Sequence, residues 1–325
     1  MVKIVLTENE GNQRLDRFLK KYFQDAPLSY IYKTIRKDLK VNGKRAKEDT
    51  MLLEGDELSF FIPDDGFAKL TKKKSRVSHA KKQFKVVYED DNVLICEKPY
   101  GLLTHGDKTE KKNHLANQVI DYLIETGSYN PRLERTFTPA PVNRLDRNTT
   151  GLVLFGKNAK ALQDLNKMIR NKDDISKRYM TIVHGKIEHE MILRDKMLKD
   201  ERRNLVSVID ESSEDGKLME TVARPLKVGK YHEKWYTLLE VEIITGRTHQ
   251  IRAHLAKEGY PVIGDIKYGA RKEFGLSTQL LHSHMLVFNR CEESLKYLEG
   301  KSFTAELPDD FLRIENTIFK NSGDR

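Results

Sequence analysis

Asp146 stands between two guanidinium groups in the string Asn143-Arg144-Leu145-Asp146-Arg147-Asn148-Thr149-Thr150-Gly151. A carboxylate beside fixed positive charge can stay ionised in a partly dry site, where it can serve as a nucleophile or a base. Pro139 and Pro141 hold the approach extended, because a residue before proline is pushed out of the helical region. Gly151 then opens the apolar run Leu152-Val153-Leu154-Phe155, short enough for a buried strand. Asp146 is therefore expected on a loop carried by a rigid sheet, where reactive groups are commonly presented. Taken alone, an Arg-Leu-Asp-Arg string also describes a solvated loop with a weak surface ion pair.

Three further strings carry side chains able to do chemistry. Lys98-Pro99-Tyr100-Gly101-Leu102 is by itself a proline-glycine turn. Lys177 to Gly185 alternates so that Tyr179, Thr181 and Val183 share one strand face. Thr245-Gly246-Arg247-Thr248-His249-Gln250-Ile251-Arg252-Ala253-His254-Leu255 joins a strand end to a helix start, where free backbone N–H groups and Arg247 favour an anion. The histidines His249, His254, His282 and His284 invite a metal reading. Residues five apart on a helix share a face poorly, and His282 and His284 lack a nearby cysteine or carboxylate pair, so hydrogen bonding is the better account and no metal is expected. Cys96 and Cys291 are too few for a disulfide framework or a thiolate metal site.

The elements that must position these residues fall into two groups. In Gln13 to Gln24, Leu15, Phe18, Leu19, Tyr22 and Phe23 recur at helical spacing. Ser29 is placed to cap a second helix with Ile31, Ile35 and Leu39 inward and Lys33, Arg36, Lys37 and Lys40 on the other side. Val41-Asn42-Gly43-Lys44 follows as a tight turn, and Glu54-Gly55-Asp56 leads into a strand over Leu58 to Ile62. Residues 63–82, with Lys72-Lys73-Lys74, Arg76, Lys81 and Lys82, read as a basic linker. From Phe84 onward strands are expected at 85–88, 93–96, 179–183, 204–209, 235–244 and 280–288, with helices over 115–125, after an Asn158 cap, and over 248–257. Strands and helices without strict alternation indicate an α+β domain. The organisation is thus 1–62 as a small module, 63–82 as linker and 83–325 as the catalytic domain.

Lysine and arginine outnumber the acids 58 to 49, a net charge of +9, which suits a polyanionic partner. No apolar run approaches the length of a membrane span and the start has no signal-peptide pattern, so a cytoplasmic protein is expected.

The Arg144-Leu145-Asp146 string resembles the aspartate motif of the RluA-type pseudouridine synthases. The ordered matches at Lys98-Pro99-Tyr100-Gly101-Leu102, at the Tyr179 strand, at Thr245 to Leu255, at Gly264-Asp265-Ile266-Lys267-Tyr268-Gly269 and at Leu281 to Phe288 extend that resemblance. The first 62 residues resemble the small RNA-binding domain first seen in ribosomal protein S four, through Arg14-Leu15-Asp16, Ser29, Ile35-Arg36, Val41-Asn42-Gly43 and Gly55-Asp56. The resemblance implies a mixed, mainly antiparallel sheet with flanking helices and a small α/β module at the amino terminus. It implies RNA uridine isomerisation without a cofactor, Asp146 as the catalytic carboxylate, Arg247 as its charge partner, Tyr179 stacking on the flipped base and Arg144 contacting RNA. It further implies that Lys33, Arg36, Lys37, Lys40, Lys44 and Arg45 hold folded RNA, with large-subunit ribosomal RNA as substrate; a monomer is expected as the working unit. Asn143 stands where the family usually has histidine, so contacts around the flipped nucleotide are expected to differ. A transfer RNA substrate, or a non-catalytic RNA-binding or ribosome-assembly factor, is the alternative reading.

Overall fold

The computed structural model of the chain describes all residues except 24–25, 64–65, 68–69, 72–80, 132–133, 135, 201–204 and 321–325. The expected linker residues Asp64, Asp65, Lys72, Lys73, Lys74 and Arg76 and the expected strand residue Asn204 lie outside the described residues.

The amino-terminal module runs β1 (Val2–Val5), β2 (Gln13–Arg14), α1 (Leu15–Tyr22), α2 (Leu28–Lys37), β3 (Leu39–Val41), β4 (Met51–Leu52) and β5 (Glu57–Phe60). Leu15, Phe18, Leu19 and Tyr22 bury the inner side of α1, and Ile31 and Ile35 that of α2, against antiparallel β1-β5-β3. Asn42 (φ 49°) and Gly43 (φ 75°) both take the left-handed region that the expected tight turn demands. The second helix differs from expectation at both ends. It starts before Ser29, with Pro27 at the cap position and no side-chain cap, and it stops at Lys37. Lys40 therefore projects from β3, with its ammonium 5.5 Å from the Phe61 ring centre. The module also outruns residue 62. Phe67 is buried against Tyr22, Phe23 and Phe60, and its N–H donates to the Pro63 carbonyl (2.9 Å), so the first part of the expected linker belongs to this core.

The larger domain comprises β6 (Lys85–Glu89), β7 (Val93–Lys98), α3 (Leu115–Glu125), β8 (Ala140–Pro141), β9 (Thr150–Gly156), α4 (Ala159–Arg170), β10 (Ile175–His184), β11 (Met191–Asp200), β12 (Leu205–Ile209), β13 (Lys217–Tyr231), β14 (Lys234–Ile243), α5 (Gln250–Lys257), β15 (Leu281–Phe288), β16 (Ser302–Thr304) and α6 (Asp309–Phe319). Its strands form one eleven-stranded sheet ordered β12-β11-β13-β14-β10-β15-β9-β7-β6, with β16 on β15 and β8 on β9. Every pairing among the described residues is antiparallel except β15 with β9, as the α+β expectation required. Alternation sorts the two faces. Leu94, Cys96, Val153, Phe155, Leu239 and Val241 face one core with α3 and α5. Val93, Ile95, Leu152 and Leu154 face α4 on the other side, where Ile182 and Leu238 meet α6.

Alternation along β10, in regular register with β14 from Arg178 to His184, puts Tyr179 and Val183 on the face that meets α5. Pairing of β10 with β15 shifts between Arg178 and Tyr179, and the extra residue, His284, lies on β15. Across the sheet Tyr179 pairs with Ser283, and Ser283 pairs with Gly151.

Gly151 (φ 106°) is where β9 and β15 approach too closely for a side chain. A methyl group there would lie 2.7 Å from Ser283 N and nearer still to the Ser283 carbonyl oxygen. Gly151→Ala combines this overlap with backbone strain, and a loss on the order of 4 kcal/mol or more is expected. Urea unfolding of the variant checks it, and a loss under about 1 kcal/mol would mean that the two strands can part without cost.

Candidate active site

Asp146 lies on an irregular segment between β8 and β9 whose residues are fixed one by one. Asn143 stands in for a strand backbone, its Nδ2 donating to the Leu152 carbonyl (3.2 Å) and its Oδ1 accepting from Leu154 N–H (2.8 Å). The Thr104 hydroxyl accepts from Leu145 N–H (3.1 Å) and donates to the Leu145 carbonyl (3.0 Å). Lys98, fully buried at the end of β7, donates to the carbonyls of Pro99 (3.1 Å), Leu102 (2.7 Å) and Arg147 (3.0 Å). Arg147 returns the link through Nε to the Gly101 carbonyl (3.1 Å). Residues 143, 145 and 147 are thus each tied to a strand or turn, leaving little freedom at 146. Burial pushes the Lys98 ammonium down to about 7, while the Asp146 carboxylate pulls it upward.

The Asp146 side chain is 26% exposed, and its Oδ2 lies 3.0 Å from Arg252 Nη1. Arg252 turns its other edge to Asp265, with Nε and Nη2 donating at 2.6 and 2.8 Å to a carboxylate only 1% exposed. One planar guanidinium therefore bridges two carboxylates, a geometry that a lysine cannot copy. Burial alone would lower the Arg252 guanidinium, but its bonds to Asp265 and Asp146 outweigh that and leave it raised. The Tyr268 ring centre lies 5.0 Å from the guanidinium carbon. His249 Nε2 stands 3.7 Å from Asp146 Oδ2, and its Nδ1 is 3.0 Å from the Tyr268 hydroxyl. Burial pushes His249 down to about 4, so the ring is neutral at pH 7 and adds no charge beside Asp146.

The expected partnership of Asp146 with Arg247 is corrected. Arg247 is exposed, its Nε donates to the Leu218 carbonyl (3.1 Å), and Arg252, in the first turn of α5, takes the place beside Asp146. The local cause is the turn before α5. Gln250 Oε1 accepts from the Thr245 hydroxyl (2.8 Å) and Arg247 N–H (3.0 Å), closing a loop that turns Arg247 outward. His249 (φ 53°) ends that turn, and α5 then buries Gln250 to Leu255.

Tyr179 is where its strand was expected to carry it, on the face of the sheet shared with α5 and Leu145. Burial pushes its phenol up to about 12, with a hydrogen bond to Ser283 opposing and Asp146 adding to the rise, so the ring is neutral. Arg144 is exposed, and its charge joins burial in lowering His105. Lys33, Arg36, Lys37, Lys40, Lys44 and Arg45 are all exposed on the module and form no ion pair among the described residues. Arg252, Asp265 and Thr104 were not assigned roles from sequence. A charged residue flanked by Ile251, Ala253 and Leu255 in a short helix is the signal that could have found Arg252.

The histidines diverge. His254 Nδ1 meets the Thr221 hydroxyl (2.8 Å), His282 Nδ1 meets that of Thr150 (2.8 Å), and His284 Nδ1 meets the Ala305 carbonyl (2.9 Å). Burial pushes His254 and His282, both fully buried, from 6.5 to about 4. Between those values the unfolded chain binds protons that the native chain does not, so stability falls as pH drops from 6.5 toward 4. From pH 7 to pH 5 the two rings together account for a loss of about 4 kcal/mol. Urea midpoints at both pH values check this, and His282→Asn is expected to remove about half of this two-ring contribution; an unchanged dependence would refute the assignment.

A profile described as RNA pseudouridylate synthase matches residues 92–257. The RNA pseudouridine synthase YlyB of Bacillus subtilis is 27% identical over 98% of this chain and 99% of its own length. The ribosomal large subunit pseudouridine synthase C of Haemophilus ducreyi is 31% identical over 93% of this chain and 91% of its own, and that of Buchnera aphidicola from Schizaphis graminum is 33% identical over 82% and 81%. Among solved structures, human RNA pseudouridylate synthase domain containing 4 superposes with a TM-score of 0.56 at 18% identity, covering 72% of this chain and 92% of that one, which speaks for the fold. Alignment along nearly the whole length, on a sheet of the same fold, leads to one conclusion: the chain belongs to the RNA pseudouridylate synthase family, as an RluA-type isomerase converting uridine to pseudouridine in RNA.

Proposed function

We propose that this isomerase modifies uridines of large-subunit ribosomal RNA and that Asp146 is its reacting carboxylate. The observation that carries the reading is the Asp146 carboxylate itself, open to solvent on one side, 3.0 Å from Arg252 on the other and set on a loop tied at three flanking residues. The reaction breaks the bond between the base nitrogen and the ribose and joins the ribose to the fifth carbon of uracil. The hydrogen of that carbon leaves to water and the freed nitrogen takes a proton, so no cofactor is consumed. The target must leave its stack at a cost of about a few kcal/mol. Tyr179 offers an aromatic face toward the site, and exposed Arg144 offers a cation to the phosphate beside it. The arrangement serves Asp146 either as nucleophile at the ribose or as the base that forms a glycal.

The six exposed cations of the module give affinity for folded RNA through phosphates rather than base edges. Large-subunit RNA as substrate is supported by the names of the relatives from Haemophilus and Buchnera. The reading carries with it a cytoplasmic monomer; among the described residues no helix is long and apolar enough to cross a membrane.

Tritium release from RNA labelled at the fifth carbon of uracil tests the proposal, with large-subunit ribosomal RNA and total transfer RNA as separate substrates. Release from the former alone is expected. Release from transfer RNA alone moves the substrate, and release from neither, with RNA still bound, returns the chain to the binding-factor reading.

A further inference from the structure

The module meets the catalytic domain at Asn9, whose Nδ2 donates to Glu134 (2.8 Å) and whose Oδ1 accepts from the N–H of Ala159, the first residue of α4 (2.8 Å). Beside this contact lies a cleft of about 450 Å³, within the range of small-ligand sites. Arg14, Arg17 and Lys21 line it from the module, and Thr136 and Gln163 from the catalytic domain. Among the described residues no carboxylate lines it. Arg14 is engaged by Asp16 (3.0 Å), but the Arg17 side chain has no ion pair among the described residues, and Lys21 reaches only the Gln13 amide oxygen (3.3 Å). Partial burial and the Arg17 charge both push the Lys21 ammonium below its usual value, the mark of two cations facing each other without an anion between them.

Thr136 supplies an independent sign. It is 93% buried, it lines the cleft, and its hydroxyl has no hydrogen-bond partner among the described residues. Buried hydroxyls are rarely left so, and one on the wall of a cationic cleft is placed to donate to an oxygen of whatever fills it. The ligand that satisfies two cations and a hydroxyl donor at once is a phosphodiester, with Gln13 and Gln163 at hand for a ribose hydroxyl or a base edge.

We propose that this seam is a second RNA site, distinct from the α2 and β3 cations, which takes the phosphate backbone of a strand crossing from the module to the catalytic domain. RNA held there touches both domains, so it fixes their relative placement while the target nucleotide is at Asp146. The inference rests on the RNA substrate reading above.

The test is equilibrium binding of the full chain to a large-subunit RNA transcript over a range of salt concentrations. Arg17→Gln combined with Lys21→Gln should weaken binding about tenfold or more near physiological salt and reduce the log–log salt slope by about 1.5. Gln163→Glu, on an exposed face of α4 and so tolerant to substitution, should weaken binding about fivefold by placing an anion in the cleft. Thr136→Val should weaken it without changing the slope. Unaltered affinity and slope in the double variant and in Gln163→Glu, with the parent binding RNA, overturn the second site and leave the synthase reading intact. A parent that binds no RNA overturns both. Uridine 5′-monophosphate bound by the parent as tightly as the transcript, and lost in the double variant, replaces the RNA backbone with a free nucleotide.

Discussion

Asp146→Asn is expected to abolish tritium release, by a factor on the order of 10⁴ or more, while RNA affinity stays within about twofold. Asparagine has the shape of aspartate, and its amide oxygen can still accept from Arg252. The three tethers of the loop use the residues on either side of position 146, so none is lost. Arg252 keeps Asp265, and the unfolding free energy should move by no more than about 1–2 kcal/mol. What disappears is the negative charge and lone-pair basicity that either chemical route requires. Measurable turnover above about 1% of the parent would reassign the reacting group.

Arg252→Met should damage the protein in two separable ways. Asp265, 1% exposed, loses both its guanidinium bonds, and a buried carboxylate left alone costs about 3–5 kcal/mol. Asp146 loses the cation 3.0 Å from its Oδ2, and activity should fall by about 10²–10³-fold. A double variant with Asp265→Leu removes the orphaned carboxylate as well. It should recover most of the stability, as replacement of buried ion pairs by apolar groups commonly does. Activity should not return with it. Recovery of both together would mean that Arg252 acts only by holding the fold. Arg252→Lys should lie between, because a point charge cannot serve both carboxylates through separate edges. Arg247→Met provides the contrast, and at that exposed position no loss of comparable size is expected.

The contrast between those two arginines shows what the sequence made legible and what it did not. The loop that carries Asp146, the Tyr179 strand and the strand-to-helix junction at Thr245 to Leu255 were readable from local residue types and spacing, while the roles of their side chains rested on the family resemblance. Which arginine reaches Asp146 depends on how tightly the chain turns before α5, and that turn is closed by the Gln250 side chain, which no periodicity announces. The irregular register between the Tyr179 strand and β15, a strand more than a hundred residues away in sequence, likewise has no local signal. The strands β11 and β13 escaped notice because their charged residues, such as Arg194 and Arg224, break the apolar alternation; Arg224 meets Glu242 (3.0 Å) of the neighbouring strand instead. The Ile31, Ile35 and Leu39 stripe was read correctly as buried although Leu39 belongs to β3, since a buried position can be reached from a helix or from the strand after it. Phe67 was hidden by its polar surroundings.

The place of β15 in the sheet bears on how the protein is made. It pairs with β10 on one side and β9 on the other, and it is the strand that joins the β6 to β9 half to the β10 to β14 half. Both halves are synthesised before residues 281–288, so each must wait with an open edge facing the gap. Pairings this distant in sequence close slowly. Until β15 enters, Gly151 lacks its Ser283 partner and β10 lacks one of its two neighbours, so a nascent chain stopped short of this strand carries Asp146 and Tyr179 on two halves of the sheet not yet joined. The final joining step is therefore the one most open to mispairing with another unfinished copy.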